Sequence, residues 1–215
     1  MSDRSSRTPA VLAAVAGIIE DARMHDYMDG IRSEFARYRA LAESALHRVD
    51  DSSLHQRDGE TCNSMAIVVQ HLAGNLASRF TDFLSSDGEK PWRDRDAEFC
   101  EQGMSRADLL DRWRVGWGIL EDALGRLSKA DLDRQVTIRG QAISVCSALH
   151  RSLAHTAYHV GQVVHMAKMR SGRDWQSLSI PIGASSTYNL APDRERRGDH
   201  AARLESPPTP TEFPA

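Results

Sequence analysis

Leu153-Ala154-His155-Thr156-Ala157-Tyr158-His159-Val160-Gly161-Gln162-Val163-Val164 is the stretch from which the rest of the chain can be read. At about 100° per residue, the run 144–169 puts Val145, Leu149, Ser152, Thr156, Val160, Val163 and Ala167 on one stripe, the pattern of an amphipathic helix facing a core. His155 and His159 fall on the flank of that stripe beside Ser152, Val163 and Met166, whereas His150 and His165 lie on the far side. Residues i and i+4 of a helix stand one above the other, so the two flank imidazoles can reach a single ion. They form a two-ligand clip that needs a third arm. Without one, the plainer alternative is two partly buried histidines bonded to neighbouring side chains or carbonyls.

The third arm comes from a second expected helix, over about 64–84, with Met65, Val68, Leu72, Leu76, Phe80 and Phe83 as its stripe and Asn63 or Ser64 as its cap. His71 lies on its flank, followed one and two turns later by Asn75 and Arg79. This polar line beside an apolar stripe mirrors the surroundings of His155 and His159, although for Asn75 alone a surface-edge strip is the simpler account. Two further stripes complete the set. A first helix over about 26–49 carries Tyr27, Ile31, Phe35, Tyr38, Ala42 and Ala45. Another helix, opening at Ser105 and ending near Leu127, carries Leu109, Trp113, Gly116, Trp117, Leu120 and Leu124.

The connections are less regular. Trp92 sits in a loop of turn formers and charges, 85–96, where it either pins the loop to the helices or lines a pocket mouth. Between 128 and 144, Val136-Thr137-Ile138, Arg139-Gly140 and Gln141-Ala142-Ile143 read as a short hairpin or as an extended crossover. Ser171-Gly172 stops the last long helix, and residues 175–181 pack back irregularly.

A chain of 215 residues with 40% hydrophobic content suits one domain with a substantial core. A formal charge of -3, with arginines interspersed among acids, does not favour nucleic acid as a partner. Three scattered cysteines, Cys62, Cys100 and Cys146, suit a reducing compartment, so the expected location is the cytoplasm. The apolar run 9–19 meets Glu20-Asp21 at once and is too short to span a bilayer, so no membrane is expected. Residues 1–23 are read as an N-terminal extension, 24–190 as the domain, and 191–215, with five prolines, as a disordered tail.

Four amphipathic helices with one stripe each bury them most economically against one another, which makes the expected fold an all-α four-helix bundle. Metal sites in such bundles are built from inward side chains on facing helices. Three neutral imidazoles from His71, His155 and His159 suit Zn or Ni first, with Fe or Co as alternatives, and leave a coordination position open. A thiol at that position would be held as thiolate, whereas water would become a hydroxide nucleophile. Asn75 and Arg79 are candidates to hold a carboxylate or orient the incoming group, and Trp92 is a third pocket candidate.

The chain resembles the DinB-like (YfiT-like) superfamily of metal-dependent four-helix bundles, in an uncharacterised branch, over about 26–189. The matching pieces include Asn63-Ser64-Met65-Ala66-Ile67, His71-Leu72-Ala73-Gly74-Asn75, Arg79-Phe80-Thr81-Asp82-Phe83-Leu84, Ser86-Asp87-Gly88-Glu89-Lys90-Pro91-Trp92-Arg93, Leu153-Ala154-His155 and Tyr158-His159-Val160-Gly161-Gln162. The resemblance implies an up-down-down-up bundle, often a homodimer, with a divalent metal on His71, His155 and His159. Relatives include S-transferases that use low-molecular-weight thiols such as bacillithiol, mycothiol or glutathione, and a mycothiol-dependent isomerase. The expected function is therefore thiol S-transfer to a small electrophile. The first alternative is a metal-dependent hydrolase, for which Asp82, Asp96 or Glu98 would have to approach as base. The second is a non-catalytic metal-binding stress-response protein.

Overall fold

The computed structural model describes residues 7–192, with side chains from residue 27 onward. These residues are mostly helical: α1 (Arg7–Leu46), α2 (Asp51–His55), α3 (Met65–Phe80), α4 (Arg106–Arg126), α5 (Val145–Ser171) and α6 (Ser185–Leu190), with one two-stranded sheet of β1 (Gln135–Ile138) and β2 (Gln141–Ser144). The tail from 193 lies outside the described residues. Among those described, no helix is long and apolar enough to cross a membrane.

The helices start where short polar side chains can satisfy free backbone N–H groups. Ser64 Oγ accepts from Ile67 N at 3.2 Å, Ser105 Oγ from Asp108 N at 3.2 Å, and Ser144 Oγ from Ser147 N at 3.2 Å. Gly172, at φ 55°, closes α5 in a conformation that costs glycine little. Two boundaries differ from expectation. α1 begins at Arg7 instead of near Asp26, because the apolar run after Pro9 continues the helix and Pro9 falls in the first turn, where its missing N–H is no loss. α3 ends at Phe80 instead of near Leu84, since Thr81 leaves helical geometry and Asp82 turns to φ 48°.

The core is built mainly from the four expected stripes, with Leu54 of α2 and Val136 of β1 added and Tyr27 and Tyr38 of α1 only partly buried against it. α3 packs mainly on α4 and also on α5, while α1 packs mainly on α5. α3 is buried almost all round, with Met65, Ile67, Val68, Val69, Leu72 and Leu76 each at 1% exposure or less. On α4, Trp113 and Trp117 are fully buried, and Trp117 meets Phe35 of α1 edge-on at 6.2 Å between centroids. The close α3–α4 approach depends on Gly116, where a Cβ would stand 2.7 Å from the Ala73 carbonyl oxygen.

The hairpin is the one of the two readings of 128–144 that forms. Val136 pairs with Ile143 and Thr137 with Ala142. Its two-residue turn is Arg139-Gly140, both at positive φ, the geometry that matches the twist of the flanking strands. Asp87 makes that turn tolerable for an arginine by accepting from the backbone N–H groups of Arg139 and Gly140 at 2.8 Å each. The hairpin thereby joins the 81–96 loop on the same side of the molecule.

Candidate metal centre

His71 projects from the middle of α3, where buried neighbours leave the residue 3% exposed. His155 and His159 project from α5, one turn apart, with ring centroids 4.5 Å from each other and 5.3 and 4.9 Å from His71. One candidate ligand atom from each ring can be chosen so that all three lie within 4.8 Å of one another. The three rings could hold a metal ion. His71 Nε2 and His155 Nε2 are 3.3 Å apart, close to the roughly 3.3–3.4 Å that separates two nitrogens on one tetrahedral ion with bonds of about 2.0–2.1 Å.

Neighbouring groups set which nitrogen faces the centre. His71 Nδ1 donates to Glu98 Oε2 at 2.8 Å, which turns Nε2 toward the other two rings. His159 Nδ1 likewise donates to Gln162 Oε1 at 2.9 Å. Both are the outer-shell bonds that fix tautomer and orientation in histidine metal sites. Burial, then the neighbouring His159 and His71 and the guanidinium groups of Arg93 and Arg79, push His155 down to about 4. Burial also lowers His159, against the opposing bond to Gln162. Neutral rings with free lone pairs are the protonation state a metal requires.

Glu98 is placed from a distance. It lies in a short 3-10 turn, Ala97–Phe99, which Gln70 of α3 holds by donating from Nε2 to the carbonyl oxygens of Glu98 and of Cys100. Arg93 then donates to both Glu98 oxygens, from Nε at 2.7 Å and Nη2 at 2.8 Å. Burial pushes the Glu98 carboxyl up, but Arg93 and the bond from His71 hold it below the ordinary carboxylate range. Gly74 leaves the space: a Cβ there would stand 2.2 Å from Glu98 Oε1.

The triad opens on a cavity of about 340 Å³. Asn75, Arg79, Arg93 and Ser152 are among the residues that line it. Arg79 is tied back by its own bonds to the Gly88 carbonyl at 2.5 Å and Glu89 at 3.2 Å. Trp92 is not brought to this cavity; it is 59% exposed on the outside of the loop, because Arg93 takes the inward direction at the next position. Of the three acids named as candidate bases, Glu98 approaches and Asp82 and Asp96 do not line the cavity. Sequence reasoning missed Arg93 and the hairpin's Arg139 as cavity residues. Neither carries a periodic signal, since each is placed by loop closure.

No curated protein and no solved structure matches the chain. A family model does match, over residues 22–184, a span that includes all three histidines, Glu98, Arg93 and the hairpin. The chain therefore belongs to the family described as "Protein of unknown function (DUF1572)".

Proposed function

We propose that the protein is a metal-dependent enzyme of the thiol S-transferase type, built as a DinB-like four-helix bundle, in which a divalent ion activates a low-molecular-weight thiol against a small electrophile. The observation that carries this reading is the convergence of three imidazoles on one side of a cavity, so that any ion they share keeps a face toward open space. Zn or Ni suits a site of three neutral nitrogens. When bound, such an ion supplies the positive charge that keeps a thiol as its thiolate near neutral pH.

The chain's own residues do the rest. Glu98 and Gln162 orient His71 and His159, Asn75 presents an amide to the cavity, and Arg79 offers a guanidinium anchored against the Gly88 carbonyl. The walls contributed by Phe80, Phe83 and Phe99 limit water beside the reacting atoms. The thiol reading is favoured over hydrolysis because Glu98 is committed to His71 and Arg93, while Asp82 and Asp96 do not line the cavity. A hydrolase would need a free base within reach of the attacking water. The three unpaired cysteines accord with a reducing cytoplasm, where such thiols accumulate.

The test is turnover of a generic electrophile, such as an activated chloronitrobenzene, by zinc- or nickel-loaded protein with glutathione, bacillithiol or mycothiol. Thiol-dependent product that disappears in His71→Ala supports the reading. Absence of product with every thiol, alongside metal-dependent hydrolysis of an activated ester, would replace it with the hydrolase. A chelator that lowers Tm while no turnover of either kind is found would replace it with a structural metal.

A further inference from the structure

Five guanidinium groups line the triad's cavity: Arg79, Arg93, Arg95, Arg139 and Arg151. The acids that meet them are few. Glu89 is shared by Arg79, Arg93 and Arg139, and Glu98 is held by Arg93. Among the described residues, Arg95 has only the solvent-facing Asp96 as an acidic partner, 3.7 Å away and 98% exposed, and its guanidinium lies over the Phe99 ring at 4.8 Å. Among the described residues, Arg151 has no hydrogen-bond or ion-pair partner, although it lines the cavity from α5, four residues before His155. Arginine does not shed its charge at any working pH, so this excess of positive charge is permanent. Burial, and then the neighbouring Arg93 and Arg139, pull Arg79 below its ordinary range in spite of Glu89.

Two buried donors add an independent observation. The Arg93 side chain is 2% exposed, and its Nη1, 3.8 Å from Glu89 Oε2, has no hydrogen-bond partner among the described residues. Ser152, one turn before His155 and also on the cavity wall, is buried with its Oγ unpartnered. Buried polar groups are almost always satisfied, and an unsatisfied donor in a cavity wall points to a partner the chain does not itself provide. The exposed Arg95, Arg139 and Arg151 stand at the mouth, and Arg93 and Ser152 lie deeper, toward the histidines.

We propose that Arg95, Arg139 and Arg151, with Arg93 and Ser152 behind them, form an oxyanion subsite that binds a carboxylate or phosphate group of the small molecule processed at the triad. This rests on the reading of the triad as a metal site. The subsite makes the substrate an anion with its charge a few bonds from the reacting atom, in a space of about 340 Å³ that suits a compact organic acid or phosphate ester. Planar guanidinium groups pair with both kinds of oxyanion, so the two sources share one chemistry.

Calorimetric titration of full-length protein, metal-free and zinc-loaded, with succinate, inorganic phosphate and the neutral succinamide decides the matter. At least one anion is expected to bind both forms more tightly than succinamide, with an affinity that falls steeply as salt is raised. Arg151→Gln, which removes no hydrogen bond or ion pair among the described residues, should weaken that anion about tenfold and leave zinc content and Tm unchanged. Preference for succinate assigns a carboxylate, and preference for phosphate a phosphoryl group. The proposal is overturned if neither anion outbinds succinamide, or if binding requires zinc and ignores Arg151→Gln, a result that leaves the metal reading intact. Anion binding that depends on Arg151 in protein that takes up no zinc upholds the subsite and sinks the metal reading instead.

Discussion

On α5, His155 and His159 meet because one helix carries them four residues apart, and their outer support, Gln162, is the next residue but two on the same helix. On α3, His71 has no such local arrangement. Its ring is oriented by Glu98, which is placed by Arg93, by Gln70 and by the absence of a side chain at Gly74, across a loop of more than twenty residues. The first half of the triad is a consequence of helical geometry alone. The second half requires the 81–104 segment to close correctly, so it is the half in which distant substitutions should be felt.

The largest expected effect comes from removing a ring. His71→Ala leaves only the helical pair, and His159→Ala leaves two rings from different helices. Either should weaken zinc by more than the 10- to 100-fold that loss of an outer-shell partner typically costs, measured by competition with a chromophoric chelator. If the helical pair retained near-native affinity without His71, α3 would be contributing no ligand.

The next effect separates the halves directly. Gly74→Ala should be neutral or favourable for an isolated helix, since alanine is preferred over glycine by about 1 kcal/mol. Here the added methyl would collide with Glu98 Oε1 and force it off His71. The expected result is a loss of zinc affinity of about 10- to 100-fold, matched by Glu98→Gln, while Gln162→Ala on α5 costs less because the helix itself still aligns His159. Equal losses in Gly74→Ala and Gln162→Ala would erase the contrast between the two halves.

These two halves were also unequally legible before any coordinates. The stripes of α4 and α5 could be read residue by residue because burial repeats with the helical period, and Leu109 through Leu124 on α4 are buried as the wheel places them, whereas α3 is buried well beyond its stripe. His155 and His159 could be paired for the same reason. His71 could be nominated from its flank position, but its support could not, since Glu98 and Arg93 lie in a loop where no period connects sequence to space. Trp92 shows the limit plainly. An aromatic residue in a charged loop reads as an anchor or a pocket wall, and nothing in the sequence says that the wall it joins lies outside the triad's cavity, where Arg93 takes the inward position. Similarly, nothing in Arg139-Gly140 alone chooses a hairpin; Asp87, fifty-two residues earlier than Arg139, completes that choice.

Acid should act on the α5 half. His155 is held near 4 in the metal-free protein, first by burial, against an ordinary value of 6.5. A group whose folded value is depressed adds stability that is fully present above the unfolded value and is lost as pH falls toward the folded one. Metal-free protein should therefore lose Tm progressively between about pH 6.5 and pH 4, with a shallower loss in His155→Gln. If the two proteins show the same slope across that window, burial of His155 is not what resists its protonation.

The smallest effect is expected where the loop meets the hairpin. Asp87 accepts from Arg139 N, Gly140 N and Glu89 N at 2.7–2.8 Å, and those bonds hold its carboxyl far below the usual range although it is barely buried. Asp87→Ala removes the acceptor of three backbone N–H groups and of the Thr137 side chain from an exposed turn, and solvent can replace each of these bonds. The global cost should therefore stay near about 1 kcal/mol. Hydrogen exchange should localise the change, with protection lost at the Arg139 and Gly140 amides and retained at those of α5 around His155. The hairpin contributes Arg139 to the cavity mouth but no ring to the triad. Zinc affinity should accordingly survive Asp87→Ala, whereas anion affinity falls because Arg139 is no longer held against the loop. A parallel fall in both would mean that the 81–104 segment closes as one unit, and that the hairpin belongs with the α3 half of the triad.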